Sequence, residues 1–222
     1  MSLTCFTSYY KKKGLPRSKR SFASGFTLVE LIVSLGIIVV ILSLVLSNQS
    51  KYTDGTMLTG LADDISLSLS QAQIYGISVR EFSPGSSEFE IAYGMEFNIT
   101  SQGDSSSYLY FADRGAVNHV YDSGWNCPTD TSSECISKTS ITRGNAIIKL
   151  CAIPDSGPDF CDVGRLDVTF LRPLPDASLV FFDLTGAPLS LSSIKGAKIE
   201  VGSPSGATRS VSVFASGQIS VQ

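Results

Sequence analysis

Gly25-Phe26-Thr27-Leu28-Val29-Glu30-Leu31-Ile32-Val33-Ser34, followed by Leu35-Gly36-Ile37-Ile38-Val39-Val40-Ile41-Leu42-Ser43-Leu44-Val45-Leu46, decides how this chain is organised. From Phe26 to Leu46 there are 21 residues and one formal charge, Glu30. A helix of about 20 predominantly apolar residues crosses the hydrocarbon core of a bilayer. The stretch therefore predicts a membrane-spanning helix with an acid near its start. An ionised carboxylate at the bilayer centre costs roughly 3 kcal/mol on insertion scales. Glu30 avoids much of that cost, because it lies only about one turn, near 6 Å, from Phe26. At that depth it sits by the headgroups and complements the positive end of the helix dipole.

Charge is unevenly placed around this stretch. Residues 1–25 hold Lys11, Lys12, Lys13, Arg17, Lys19 and Arg20 and no acid. The remainder carries 11 basic and 20 acidic residues, a net charge of −9. A basic segment just before an apolar span stays on the cytoplasmic side, so the chain from about residue 47 is expected across the membrane. A domain at that charge is a poor general binder of nucleic acid, whose affinity depends on Lys and Arg neutralising phosphates.

Small residues normally follow the apolar region of a secretory signal and mark its cleavage site. Here Ala23, Ser24 and Gly25 come before it, and no A-x-A follows Leu46. A cut after Gly25 removes the basic leader and keeps the apolar helix. Gly25 followed by Phe26-Thr27-Leu28-Val29-Glu30 resembles the prepilin motif of type IV pilins and type II secretion pseudopilins. The resemblance implies cleavage between Gly25 and Phe26 by a prepilin peptidase and N-methylation of Phe26. It also implies a role for Glu30 in subunit assembly, paired with the terminal amine of a neighbouring subunit. The bland alternative is that Glu30 only touches headgroups or its own amine.

The helix is expected to continue beyond the membrane, since no Pro occurs between residues 17 and 83. Leu58, Leu61, Ile65, Leu69 and Ala72 recur at spacings of three and four, which is one face of a helix. Asp63, Asp64, Ser66, Ser68 and Gln71 take the other side, and Gly76 is a plausible stop. Gly36 and Asp54-Gly55 are soft points. From residue 77 the pattern changes to short apolar runs between turn residues. Strands are expected over 77–82, 89–99, 108–113, 146–153, 166–171, 179–183, 197–201, 209–214 and 218–221, the last two as a hairpin with Val211 and Val213 buried and Ser210 and Ser212 wet. The expected class is α+β and pilin-like. Its parts are a leader 1–25, a helix 26–76 with 26–46 in the membrane, and an antiparallel β domain 77–222. An irregular, exposed insertion is expected over about 100–165.

Four cysteines, Cys127, Cys135, Cys151 and Cys161, lie in the exported part, and Cys5 lies in the leader. An even count in an oxidising compartment suggests two disulfides. Three pairings are possible; Cys127–Cys135 and Cys151–Cys161 are favoured because each closes a short loop rich in turn residues. A zinc site is a weaker reading, since no C-x-x-C occurs and His119 is the single histidine. Asp155, Asp159 and Asp162 are weak calcium candidates, with a solvated acidic loop as the simpler reading. No other cofactor is expected. An enzyme is not expected: there is no G-x-S-x-G, no phosphate-binding Gly-rich loop, and His119 is the lone candidate base.

Within the pilin superfamily the later half is similar to the minor GspH/FimT type. The carriers are Gln71-Ala72-Gln73, Val168-Thr169-Phe170-Leu171-Arg172-Pro173 and the closing run Arg209 to Val221. Some members of that type bind DNA through a C-terminal Gly-Arg-x-Arg; here Gly217-Gln218-Ile219-Ser220 stands instead, so nucleic acid is not an expected partner. The function implied is a structural, minor pilin or pseudopilin subunit of a type IV pilus or type II secretion pseudopilus. Its partners would be other pilin subunits, the prepilin peptidase and a membrane assembly platform. Its location would be the cytoplasmic membrane, with the domain outside, and then a filament. The alternative is a displayed adhesin or ligand-binding module, with Tyr121 and Trp125 either forming its contact surface or plugging a small core.

Overall fold

The computed structural model describes residues 25–78, 89–115, 117–130 and 132–222. The leader up to Ser24, Cys5 within it, most of the expected strand 77–82 and the turn Ser83-Pro84-Gly85 lie outside the described residues. The chain divides into two units, Met1–Ser47 and Asn48–Gln222. Helix α1 spans Leu28–Ile77 and contributes to both, running without interruption through Gly36 and Gly55. Ile77 is its last residue, so the expected strand does not begin there.

In the first unit, Leu28–Leu46 has a mean hydropathy of 2.9 and none of it is buried. It is the one described helix long and apolar enough to cross a membrane. Its hydroxyls are satisfied within the helix: Ser34 donates to the Leu31 carbonyl at 3.0 Å and Ser43 to that of Val39 at 2.8 Å. Such back-bonding hides a polar group where no water is at hand.

In the second unit, α1 is amphipathic. Leu58, Ala62, Ile65, Leu69 and Ala72 are buried at 0–1% exposure, while Asp63, Asp64 and Gln71 are exposed. This stripe packs into one core with a face from each of two antiparallel sheets. The first sheet has the order β3-β2-β1-β6-β7, from β1 (Ala92–Asn98), β2 (Ser107–Asp113), β3 (Cys135–Ser140), β6 (Arg165–Phe170) and β7 (Ala177–Phe182). The second has the order β10-β9-β8-β4-β5, from β4 (Ala146–Pro154), β5 (Phe160–Val163), β8 (Ile194–Gly202), β9 (Thr208–Phe214) and β10 (Ile219–Val221). The chain is thus α+β, an N-terminal apolar helix with a two-sheet β domain.

Gly76 has a different role from the expected helix stop. A Cβ there would meet the Phe170 carbonyl oxygen at 2.2 Å, so the glycine lets the helix backbone touch β6. The Arg172 amide donates to the Gly76 carbonyl at 3.0 Å and closes that contact. The C-terminal hairpin forms, with Val213 opposite Ile219 and Val211 opposite Val221. Val211 and Val213 are buried as expected, but Ser212 is buried too, at 4%, because its strand is flanked by β8 and β10.

The stretch 100–165 is not a single exposed insertion. It contains β2, β3, β4 and β5, of which β3 and β5 have no strong alternating apolar pattern to announce them. β1 and β2 are buried along their whole length. The main core covers one face of the first sheet. The other face carries a smaller cluster of Leu109, Phe111 and Tyr121, with Trp125 and the Cys127 and Cys135 side chains packed on it. The chain from Arg114 to Glu134 therefore covers the sheet.

Candidate functional site

The first candidate site is the start of α1. Gly25, Phe26 and Thr27 precede the helix and are exposed. Thr27 is its N-cap: the Glu30 amide donates to Thr27 Oγ1 at 3.2 Å, and the Leu31 amide to the Thr27 carbonyl at 3.1 Å. Thr27-Leu28-Val29-Glu30 has the spacing of a capping box, in which a Ser or Thr cap is followed by Glu at the third helical position. The sequence reading missed Thr27, although that spacing was there to find it. The Gly25–Phe26 peptide bond lies outside the helix. A cut there leaves the cap and Glu30 with the helix.

The second group of expected residues is the cysteines. Cys127 is bonded to Cys135 and Cys151 to Cys161, the favoured pairing of the three. The aspartates beside the second bridge do not form a metal-ligating group, and none of three or more such residues exists among the described residues. Asp159 instead makes an ion pair with Lys198, which takes the charge a cation would need.

Tyr121 and Trp125 do not form an exposed contact surface. Tyr121 is 2% exposed; its ring lies 5.3 Å from that of Phe111 and its hydroxyl donates to the Gly124 carbonyl at 2.8 Å. Trp125 is half-buried, with the Lys138 ammonium 4.9 Å from its ring centroid. These rings plug the small core, the other option that the sequence left open. His119 is a positioning residue of the same segment: its Nδ1 lies 2.8 Å from Thr169 Oγ1 and its amide donates to Asp113 at 2.6 Å.

Sequence reasoning missed an ionic cluster beneath this segment. Glu96 of β1 is 2% exposed and Asp167 of β6 is 0% exposed. Arg165 joins them: its Nε lies 3.0 Å from Glu96 Oε1 and 3.1 Å from Asp167 Oδ1, and its Nη2 donates to Asp167 Oδ2 at 2.5 Å. Burial, with Asp167 beside it, pushes the Glu96 carboxyl up to about 8. Burial pushes Asp167 up to about 6, against the opposing pull of Arg165. The signal was an acid at the centre of each strand, Met95-Glu96-Phe97 and Leu166-Asp167-Val168. Alternation alone reads such acids as a wet face; here the segment from Arg114 to Glu134 dries it.

A shallow groove of about 220 Å³ between α1 and the β3 end is lined by Met57, Leu61, Asp64, Tyr108, Thr139 and Arg143, among others. It gathers no catalytic constellation. No protein-family model matches the sequence, and neither a curated protein nor a solved structure matches it.

Proposed function

We propose that this chain is a structural pilin-type subunit, minor and of the GspH/FimT kind, cut after Gly25 and assembled through its N-terminal helix into a pilus or secretion pseudopilus. The observation that carries the reading is the start of α1. A non-helical Gly25-Phe26-Thr27 leads into a capped helix with its single acid in the first turn, then 19 apolar-rich residues with none buried. In a plain anchor the Glu30 carboxylate serves only the helix cap and dipole. In a packed filament core it also meets the free amine of Phe26 on a neighbouring subunit. The apolar side chains left exposed in the single chain find lipid first and other helices later. The two disulfides fit a domain on the oxidising side of the membrane.

Mass spectrometry of the mature protein from its native host tests this. A chain beginning at methylated Phe26 is the expected result. An intact Met1, or a new terminus after Leu46, overturns the reading.

A further inference from the structure

The apolar grip of the Arg114–Glu134 segment on the sheet is confined to Tyr121, Trp125 and Cys127. Among its described residues from 114 to 132, Tyr121 alone is buried. The rest of the hold includes a series of backbone amides donating to carboxylates. The Asn118 and His119 amides donate to Asp113 Oδ2 at 3.0 and 2.6 Å. The Tyr121 amide donates to Asp167 Oδ2 at 3.2 Å and the Asp122 amide to Glu134 Oε2 at 2.7 Å. Arg165 Nη2 donates back to the Tyr121 carbonyl at 2.7 Å. Asp167 and Arg165 thus hold the middle of the segment, and both also belong to the buried cluster with Glu96.

The cluster is short of positive charge. Among the described residues, Arg165 is the one cation shown against Glu96 and Asp167, and its single Nε–H faces an oxygen of each. Its guanidinium also stacks 4.6 Å from the centroid of the Phe182 ring on β7. The remaining groups that bear on the cluster are acids or neutral. Asn98 of β1 donates to Glu96 Oε1 at 3.1 Å. Asp122 and Tyr121 come from the segment, Asp113 from the end of β2, and Glu134 from just before β3, with His119 bonded to Asp113. Glu96 Oε2 is buried with no hydrogen-bond partner. That oxygen suits a protonated carboxyl better than a carboxylate, since a buried charge without donors is costly.

We propose that the Arg114–Glu134 segment is a proton-controlled cover, docked on the sheet while Glu96 keeps its proton and loosened when that proton leaves. The physical route is competition for Arg165. With Glu96 neutral, the guanidinium serves Asp167 and the Tyr121 carbonyl. With Glu96 ionised, two buried carboxylates draw on one guanidinium, and the Tyr121 attachment weakens. The sign follows from the direction of the shift. Glu96 is held above its ordinary value by burial and by Asp167, so the docked form keeps its proton through neutral pH and loses it as pH rises through about 8. The Cys127–Cys135 bridge limits the movement, because it fixes the C-terminal part of the segment to the start of β3.

Trp125 is the single tryptophan of the chain and lies within the cover, so it reports its docking directly. Acrylamide quenching of the full-length chain in detergent micelles is measured from about pH 6 to about pH 9.5, a window set by linkage to the Glu96 proton. The expected result is a quenching constant that rises about twofold or more as the half-buried indole becomes more accessible, with far-ultraviolet circular dichroism unchanged. Glu96→Gln, which mimics the protonated state, flattens the rise. Asp167→Asn also flattens the rise, because a lone Glu96 carboxylate then has Arg165 to itself. A flat wild-type profile overturns the proposal, as does an unaltered rise in Glu96→Gln. Should Glu96→Gln fail to fold, Asp167→Asn decides: a flat profile supports the cover and an unaltered rise overturns it.

Discussion

The two halves of α1 are equally helical and both rich in apolar side chains, yet they behave in opposite ways. Leu28–Leu46 buries nothing. The stretch from Leu58 to Ala72 buries five side chains to within 1%. The difference lies in how apolar residues are spread around the helix. The first half is apolar on all sides, so no single face suits a core, and lipid or a ring of other helices is its matching environment. The second half confines its apolar residues to one stripe and leaves Asp63, Asp64 and Gln71 to water. Apolar content alone does not assign a helix to a core; its angular distribution does.

That contrast breaks first at Glu30. In the pilin reading, Glu30→Ala leaves membrane insertion and cleavage after Gly25 intact but removes filament incorporation altogether; wild-type incorporation in sheared filament fractions would remove the assembly role. Next comes a matched pair of truncations. Leu69→Ala costs the domain about 2–5 kcal/mol, because the transfer loss is joined by a cavity in a core reached by both sheets. Ile38→Ala leaves the unfolding midpoint of the domain within about 0.5 kcal/mol of wild type. Denaturant unfolding followed by near-ultraviolet circular dichroism compares the two, and similar losses would mean that the halves are not energetically separate. The smallest effect is expected at Gln73. Its Nε2 donates to the Pro175 and Gly217 carbonyls, both at 2.9 Å. Gln73→Ala removes both bonds and costs about 1–2 kcal/mol, read as faster amide exchange around Gly217 and the last turns of α1.

The same contrast explains what could be read in the sequence. Both helix halves were legible, the first from its unbroken apolar run and the second from its spacing of three and four. Eight of the ten strands were foreseen at least in outline, because their apolar residues alternate or cluster between turns. β3 was not, since Cys-Ile-Ser-Lys-Thr-Ser at an exposed edge has almost nothing to bury. β5 was not, since four residues beside a disulfide give too short a pattern. At the helix start, Gly25, Phe26 and Glu30 stood out, while Thr27 passed as one more small residue although it caps the helix. The Glu96–Arg165–Asp167 cluster escaped because its partners are about 70 residues apart in sequence, and because nothing local says that a loop will cover a strand face. Burial of that kind is a tertiary fact, and it reverses the meaning of an acid in an alternating strand.

β3 carries one more consequence. It ends its sheet, and all of its residues beyond Cys135 are exposed. An edge strand is a template on which another chain can pair, and long apolar edges invite aggregation. This one is short, carries Lys138 near its middle, and is pinned at its first residue to Cys127. Copies anchored in one membrane plane meet far more often than copies free in solution. In the pilin reading, a blunted edge would let such copies crowd side by side without fusing strand to strand.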